Sequence, residues 1–259
     1  MSFIVFNQIN GLDNLIKTRL SDLVGALKSL NKSVFFLDEF KEFAFLQDVK
    51  DYIISIQKGI IYGSSQDLEY RDLLLKFVKK FNFHIILELP ENIFLDINNF
   101  LPFEDTIFIG INDKVNSDAG TFLYRHLVVK RNLFKEVIGI RCLDSDLIDI
   151  FRIIAIDNKK YLFMNPNFLV KDALLFNESS ASFFNVKKLK SGKKFFEVKA
   201  EETSLKHLRF FIYGKNVLLF DDAFRLKSFF EEQKFNIFLL KAELRNKEVY
   251  PFNLIREFY

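Results

Sequence analysis

The sequence predicts one mixed α/β domain built from a repeated unit of hairpin, helix and strand. Short runs of β-branched and aromatic residues alternate along the chain with longer amphipathic segments. Five such units fill the 259 residues at about 52 residues each, a spacing found in repeat architectures. With only 4 Pro and 9 Gly, no flexible linker divides the series, so residues 1–259 are predicted to form a single domain.

The individual elements follow from the period of the apolar residues, which is near 2 in strands and near 3.6 in helices. Strands are predicted at residues 2–7, 33–37, 52–56, 59–62, 83–89, 106–111, 136–141, 147–156, 161–164, 206–213, 216–220 and 236–240. Helices are predicted at residues 15–30, 66–81, 117–130, 165–175 and 222–233. A further hairpin is predicted at residues 181–199, closed at Ser191–Gly192.

Composition limits the functions that the chain can have. Hydrophobic residues make up 49% and charged residues 27%, as in ordinary globular proteins. The net charge of +3 is too small to predict a nucleic-acid partner without a focused basic patch. One such patch is Lys187–Lys194, KKLKSGKK, with five Lys around a predicted turn. It is either a solvated hairpin tip or a contact for phosphates or an acidic partner.

Cysteine and histidine usage predicts a cytoplasmic protein without a metal. Cys142 is the only cysteine, so no intramolecular disulfide forms and a reducing compartment is expected. The first ten residues lack a secretory leader, and no apolar run approaches the roughly 18 residues of a spanning helix, so no membrane partner is expected. His84, His126 and His207 lack the spacing of metal ligands, and no cofactor is predicted.

Residues 95–116, LDINNFLPFEDTIFIGINDKVN, carry the most specific pattern in the chain. They align without a gap with a segment of the pentein hydrolases that reads roughly L-E-G-G-D-V-L-x-x-G-x-x-V-F-V-G, followed by S-x-R-T-N. Residues 41–48, KEFAFLQD, resemble the P-D-S-V-F-V-E-D corner of the same proteins. Near the C-terminus, Glu243 stands ten residues before the position of the pentein nucleophile.

By these segments and their order, the chain resembles the pentein superfamily over nearly its whole length. That superfamily includes arginine deiminases, dimethylarginine dimethylaminohydrolases and amidinotransferases. The resemblance implies a five-bladed, pseudosymmetric α/β-propeller, the pentein fold, built from ββαβ-type modules. It also implies a guanidino or arginine-like small molecule as ligand.

The resemblance assigns ligand-binding positions at two corners of the fold. In the hydrolases, carboxylates hold the guanidinium group, because its planar N–H fork matches carboxylate oxygens in charge-assisted hydrogen bonds. The positions that match these carboxylates are Glu42, Gln47 and Asp48, and Asp96, Lys114 and Asp144 complete the ligand-binding set that the resemblance implies. Gln47 is neutral where the superfamily segment has a Glu. Lys114 stands where the superfamily usually has an Arg that holds the substrate carboxylate.

The catalytic positions implied by the resemblance are not intact. The hydrolases need a thiolate to attack the guanidinium carbon and a His to protonate the leaving amine. Here the His position is Cys142, and the nucleophile position is Asn253, whose amide has no comparable nucleophilicity. Asp96 matches the Glu that flanks the reacting carbon, and Ile97 and Asn98 replace two glycines. The hydrolytic mechanism is therefore not expected.

Three functions remain open at this stage. The first is a catalytically degenerate protein that binds a guanidino or amino-acid ligand or a protein partner. The second is an active guanidine-modifying hydrolase or amidinotransferase with non-standard residues, in which Cys142 is the candidate nucleophile, although a buried, inert thiol is the simpler interpretation. The third is a structural or ribosome-associated role, since the fold also hosts a ribosome anti-association factor, with Lys187–Lys194 as its contact.

Overall fold

A computed structural model describes residues 2–5, 13–43, 53–56, 59–62, 68–113, 115–142, 145–165, 173–184, 195–199, 206–247 and 250–258. The strands are β1 (Ser2–Val5), β2 (Ser33–Phe36), β3 (Ile53–Ile56), β4 (Gly59–Tyr62), β5 (Ile85–Glu88), β6 (Phe100–Phe103), β7 (Thr106–Ile111), β8 (Glu136–Arg141), β9 (Phe151–Ile156), β10 (Lys159–Met164), β11 (Ala173–Phe176), β12 (Ala181–Phe184), β13 (Phe196–Lys199), β14 (Phe211–Tyr213), β15 (Asn216–Phe220), β16 (Asn236–Leu240) and β17 (Ile255–Phe258). The α-helices are α1 (Asp13–Ser29), α2 (Leu68–Lys80), α3 (Ser117–Leu123), α4 (Leu147–Ile150), α5 (Phe224–Glu232) and α6 (Pro251–Leu254), and α3 continues as a π-helix over Tyr124–Val129.

The strands form five sheets that repeat one three-stranded pattern. In each, one strand pairs antiparallel on one side and parallel on the other, in the orders β17-β1-β2, β3-β4-β5, β6-β7-β8, β9-β10-β13 and β14-β15-β16. The sheet of β6, β7 and β8 continues beyond β8 with β11 and β12. Parallel strands need a crossover connection, and α1, α2, α3 and α5 supply it in four of the sheets. The predicted ββαβ-type module is therefore confirmed.

One edge strand of every sheet faces a common central space. The strands β3, β6, β9, β14 and β17 each lie at the edge of a sheet, and residues of all five line one cavity of about 1060 Å³. Ile54, Phe100, Ile153, Phe211 and Ile255 represent the five strands in its wall. We call these the inner strands and the cavity the central channel. Five sheets around a channel are the five-bladed α/β-propeller that the sequence predicts.

The first and last strands close this ring. The antiparallel pair of β1 and β17 runs from Ser2 opposite Phe258 to Val5 opposite Ile255. Because β1 also pairs in parallel with β2, residues from both ends of the chain complete one blade.

Helix α1 shows how the apolar pattern positions the outer layer. Ile16, Leu20, Leu23 and Leu27 recur at intervals of three and four residues, which places them on one face of a helix. All four are fully buried, in a cluster with side chains of β1 and β15. None of the described helices is both long and apolar enough to cross a lipid bilayer.

Three local predictions are wrong because distant parts of the chain decide the structure. Residues 147–150 form a helical turn rather than the start of a strand. The strand β11 begins within the predicted helix 165–175, because its residues pair with β8. Residues 181–199 do not form a hairpin: β12 pairs with β11, whereas β13 pairs in parallel with β10. Sheet pairing of this kind is invisible to local periodicity.

Candidate functional site

Polar side chains collect where the chain enters the inner strands. Residues 96–99, 145–150, 206–210 and 250–252 precede β6, β9, β14 and β17, and direct hydrogen bonds join all four segments. We call this region the channel mouth. It contains Asp96, which the sequence analysis assigns to ligand binding.

Asp96 is buried at the start of a tight turn. It caps the 3-10 helix Ile97–Asn99, where its Oδ1 accepts hydrogen bonds from the backbone N (3.0 Å) and the Nδ2 (3.1 Å) of Asn99. A carboxylate at this position satisfies a backbone N–H that the turn would otherwise leave without a partner. The turn therefore fixes the Asp96 carboxylate at the channel mouth.

Asn99 joins three segments of the chain. Its Nδ2 donates to Asp146 Oδ1 (3.0 Å), and its Oδ1 accepts from the backbone N of Leu147 (2.9 Å) and from Asn112 Nδ2 (3.2 Å). Gly110 on β7 makes room for it, since a Cβ at that position would lie 2.4 Å from Asn99 Oδ1. Only glycine allows so close an approach.

Arg209 completes the network with a guanidinium group that is 4% exposed. Its Nε and Nη2 donate to the two carboxylate oxygens of Asp149, both at 2.7 Å, and Nη2 also donates to Asp146 Oδ2 at 2.7 Å. Burial alone would lower the pKa of Arg209, but the hydrogen bonds and charges of Asp149 and Asp146 raise it above its ordinary value. Two carboxylates at the mouth thus already hold a guanidinium from the chain itself.

Cys142 lies beside this network as an unreactive thiol. The side chain is 1% exposed, and its Sγ donates to the backbone O of Ile140 at 3.3 Å. Burial raises the pKa of the Cys142 thiol to about 12, and the negative charge of Asp146 adds to this effect. Because the thiolate is the nucleophilic form, Cys142 is not activated near neutral pH.

Glu42 lies outside this network, in an exposed ion pair with Lys80. The hydrogen bond from Lys80 lowers the pKa of Glu42. Gln47, Asp48, Lys114, Asp144 and the basic segment Lys187–Lys194 lie outside the described residues. The backbone of Asn253 belongs to α6, but its side chain is not described. Convergence of the predicted ligand set therefore stays a prediction.

Several residues of the channel mouth are absent from the sequence-based site. Asp146 and Asp149 stand three residues apart just after the Cys142 corner, and Arg209 stands alone in the apolar segment HLRFFIY. A single charge between apolar neighbours is a usable signal, because such a charge is rarely buried without a partner. Within the described ranges, no group of three or more His, Cys, Asp or Glu side chains is arranged to hold a metal ion.

Sequence comparison finds no relative: no protein-family model and no curated protein matches this chain. Comparison with solved structures does find similar folds. A Cys-to-Ser variant of the dimethylarginine dimethylaminohydrolase of Pseudomonas aeruginosa, complexed with citrulline, superposes with a TM-score of 0.71 at 11% identity, over 99% of this chain and 98% of that one.

Two further structures extend this likeness to other activities. An amidinotransferase of the saxitoxin pathway from Microseira wollei has a TM-score of 0.67 at 13% identity, covering 100% of this chain and 94% of the other. The N-terminal domain of a cyanobacterial arginine dihydrolase, a Cys-to-Ser variant bound to substrate, has a TM-score of 0.65 at 12% identity, with coverages of 98% and 97%. At identities this low, the superpositions establish a shared fold and nothing further.

Proposed function

The chain has the fold of the pentein superfamily, and on this premise we propose that it binds a guanidino or amino-acid ligand at the channel mouth without turning it over. The similar structures include complexes with citrulline, with L-arginine and with ornithine. Those ligands share an amino-acid backbone and a nitrogen-bearing side chain. The proposal transfers this ligand class, but not the chemistry, to the present chain.

The burial of the Cys142 thiol is the observation that supports a lack of turnover. A general acid works best with a pKa near the operating pH. Cys142 stands at the position of the pentein His, but burial raises its pKa to about 12. A thiol in this state neither protonates a leaving amine efficiently nor attacks a guanidinium carbon.

The carboxylates of the channel mouth support guanidino binding. Asp96 is held there by the turn at Ile97–Asn99, and Asp146 and Asp149 bind the guanidinium of Arg209 in the two-pronged geometry that suits this group. In the proposal, Asp96 acts with Glu42, Gln47, Asp48, Asp144 and Lys114 on an external ligand.

Isothermal titration with arginine, agmatine and methylarginines tests the binding. We expect heat with at least one of them and at least a tenfold loss of affinity in Asp96→Asn, because the neutral amide removes a charge-assisted contact. Glu104→Gln, at the exposed turn between β6 and β7, is the matched control and is expected to bind as the wild type does. Absence of heat with every compound at millimolar concentration would remove the proposal.

A turnover assay separates binding from the enzyme alternative. We expect citrulline and ammonia release at background level, with Cys142→Ser indistinguishable from the wild type. Release above background that disappears in Cys142→Ser would instead identify an active enzyme with a non-standard residue set.

A further inference from the structure

A second buried arginine lies in the wall of the central channel. Arg152, on β9, is 8% exposed. Its Nη1 donates to the backbone O of Leu208 (3.2 Å) and to that of Phe210, and its guanidinium carbon lies 4.2 Å from the centre of the Phe210 ring and 5.0 Å from that of Phe252. These contacts fix the guanidinium in place, but none of the contacting groups is negatively charged.

The guanidinium of Arg152 has unused hydrogen-bonding capacity. Both of its hydrogen bonds come from Nη1, and the buried Nε has no partner in the described chain. Burial lowers the pKa of Arg152 to about 9, with no charged group acting on it, so the side chain is still a cation near neutral pH. A buried cation without an anion is unfavourable, which makes this a position where an anion would gain strongly.

A second polar side chain, that of Ser55, belongs to the channel wall, but its hydroxyl oxygen is buried. Ser55 lies on β3, and its Oγ has no hydrogen-bond partner among the described residues. Most of the remaining lining is apolar, as at Ile54, Phe100, Ile153 and Phe211. The wall therefore combines one cation with an apolar surface.

The other charges that line the channel belong to its opposite end and are paired. Asp157 and Lys215, at hairpin turns, form an ion pair at 2.7 Å, and Glu104 pairs with Lys160 at 2.8 Å. The exposure of Glu104, Asp157 and Lys215 shows that the channel opens to solvent at this end. Among the described lining residues, the charge available to a ligand is therefore that of Arg152.

We propose that the central channel binds a monocarboxylate with an apolar tail, whose carboxylate pairs with the guanidinium of Arg152 where that side chain lines the channel. The strand from Arg152 to Asp157 spans about 16 Å, so the tail extends along the apolar wall toward the open end. The cavity of about 1060 Å³ matches the upper range of small-molecule pockets. This site takes an anion, whereas the site proposed at the channel mouth takes a guanidinium.

Two-dimensional NMR of protein labelled with 15N-arginine tests the contact directly. We expect octanoate to shift the Nε–H resonance of Arg152, which is identified by its absence from the spectrum of Arg152→Met. Octan-1-ol has the same tail without the carboxylate and is expected to leave this resonance in place, and acetate is expected to bind at least tenfold more weakly than octanoate. An unchanged Nε–H at saturating octanoate would overturn the proposal.

Calorimetric titration of variants provides the second measurement. We expect at least a tenfold loss of octanoate affinity in Arg152→Met, with wild-type affinity in the control Arg131→Met, which removes an exposed arginine. Equal affinity of octanoate and octan-1-ol, or of Arg152→Met and wild type, would show an apolar cavity without an anion site. If Arg152→Met did not fold, the comparison of octanoate with octan-1-ol on the wild-type protein would still decide.

Discussion

The two buried arginines, Arg209 and Arg152, make opposite use of the same side chain. They are 4% and 8% exposed, and both enter the inner-strand region of the propeller. Arg209 donates to both oxygens of Asp149 and to Asp146, whereas Arg152 donates to two neutral carbonyls. The pKa of Arg209 is accordingly raised and that of Arg152 is lowered to about 9.

The comparison shows that the degree of burial alone does not define the role of a buried arginine. Both side chains lose hydration on folding, and burial by itself lowers the pKa of each. The partners decide the outcome: carboxylates convert Arg209 into a connection between two blades, whereas Arg152 keeps a charge that a ligand can satisfy. The four predictions below measure this contrast.

The largest effect is expected for Arg209→Met. The substitution keeps an apolar stem but leaves the buried carboxylates of Asp146 and Asp149 without their cation, so we expect the free energy of unfolding to fall by about 3–5 kcal/mol. Urea denaturation measures it. The control is Lys160→Met, which breaks an exposed pair with Glu104 and is expected to cost less than about 1 kcal/mol. Equal losses in the two variants would contradict a structural role for the network.

Gly110→Ala attacks the same network without removing a charge. The new Cβ would lie 2.4 Å from Asn99 Oδ1 and 2.9 Å from Leu147 Cβ, and Asn99 is held by several hydrogen bonds. We expect a loss of about 2 kcal/mol by urea denaturation, because the side chain cannot move away freely.

Gly25→Ala is the matched control for this variant. A Cβ there meets nothing within 4 Å, and the residue lies inside α1. We expect a gain of about 0.5–1 kcal/mol from the better helix propensity of alanine. Destabilisation of both variants to the same degree would argue against tight packing around Asn99.

Arg152→Met is expected to act in the opposite direction from Arg209→Met. It removes a buried cation that lacks a carboxylate partner, so the free energy of unfolding should stay unchanged or rise by up to about 2 kcal/mol. Urea denaturation in the absence of added carboxylates gives the value. A loss as large as that of Arg209→Met would show that Arg152 is a structural residue and would end the contrast.

The smallest effect is the pH dependence of the difference in unfolding free energy between Arg152→Met and the wild type. Above the folded pKa of about 9, native Arg152 loses its proton while the unfolded chain, with an ordinary pKa of 12.5, keeps it. Stability then rises with pH, since the unfolded state binds more protons. The free energy of unfolding of Arg152→Met therefore exceeds that of the wild type by its full amount below about pH 9 and by less at higher pH. A difference that stays constant between pH 8 and pH 10.5 would contradict a depressed pKa.

Much of the fold is predictable from local pattern. Helix α1 and the strands β3, β4, β8, β15 and β16 lie within about two residues of their predicted bounds, and all but β16 bury most of their apolar side chains. The end of the helix predicted at 165–175 is wrong, since residues 173–175 belong to β11, which extends the sheet of β6, β7 and β8; residues 166–172 lie outside the described residues. The partner of β11 in that sheet, β8, lies more than thirty residues away, and local propensity carries no information on such a contact.

The site is less predictable than the fold for a related reason. Asp96 could be assigned because it lies within a continuous segment that resembles known proteins. Arg209 and Asp149 are 60 residues apart and meet only because their blades adjoin at the channel mouth. Arg152 in IFRIIAI and Arg209 in HLRFFIY look alike as sequences, so the sequence does not distinguish the paired from the unpaired guanidinium.

The pairing of β1 with β17 joins segments that lie at least 250 residues apart in the sequence. The blade of β1 and β2 stays incomplete until Ile255–Phe258 pairs with β1. Contacts of such long sequence separation form slowly, because the entropy of closing the loop opposes them. We therefore expect the wall contributed by Ile255 to join the central channel after the local hairpins have formed.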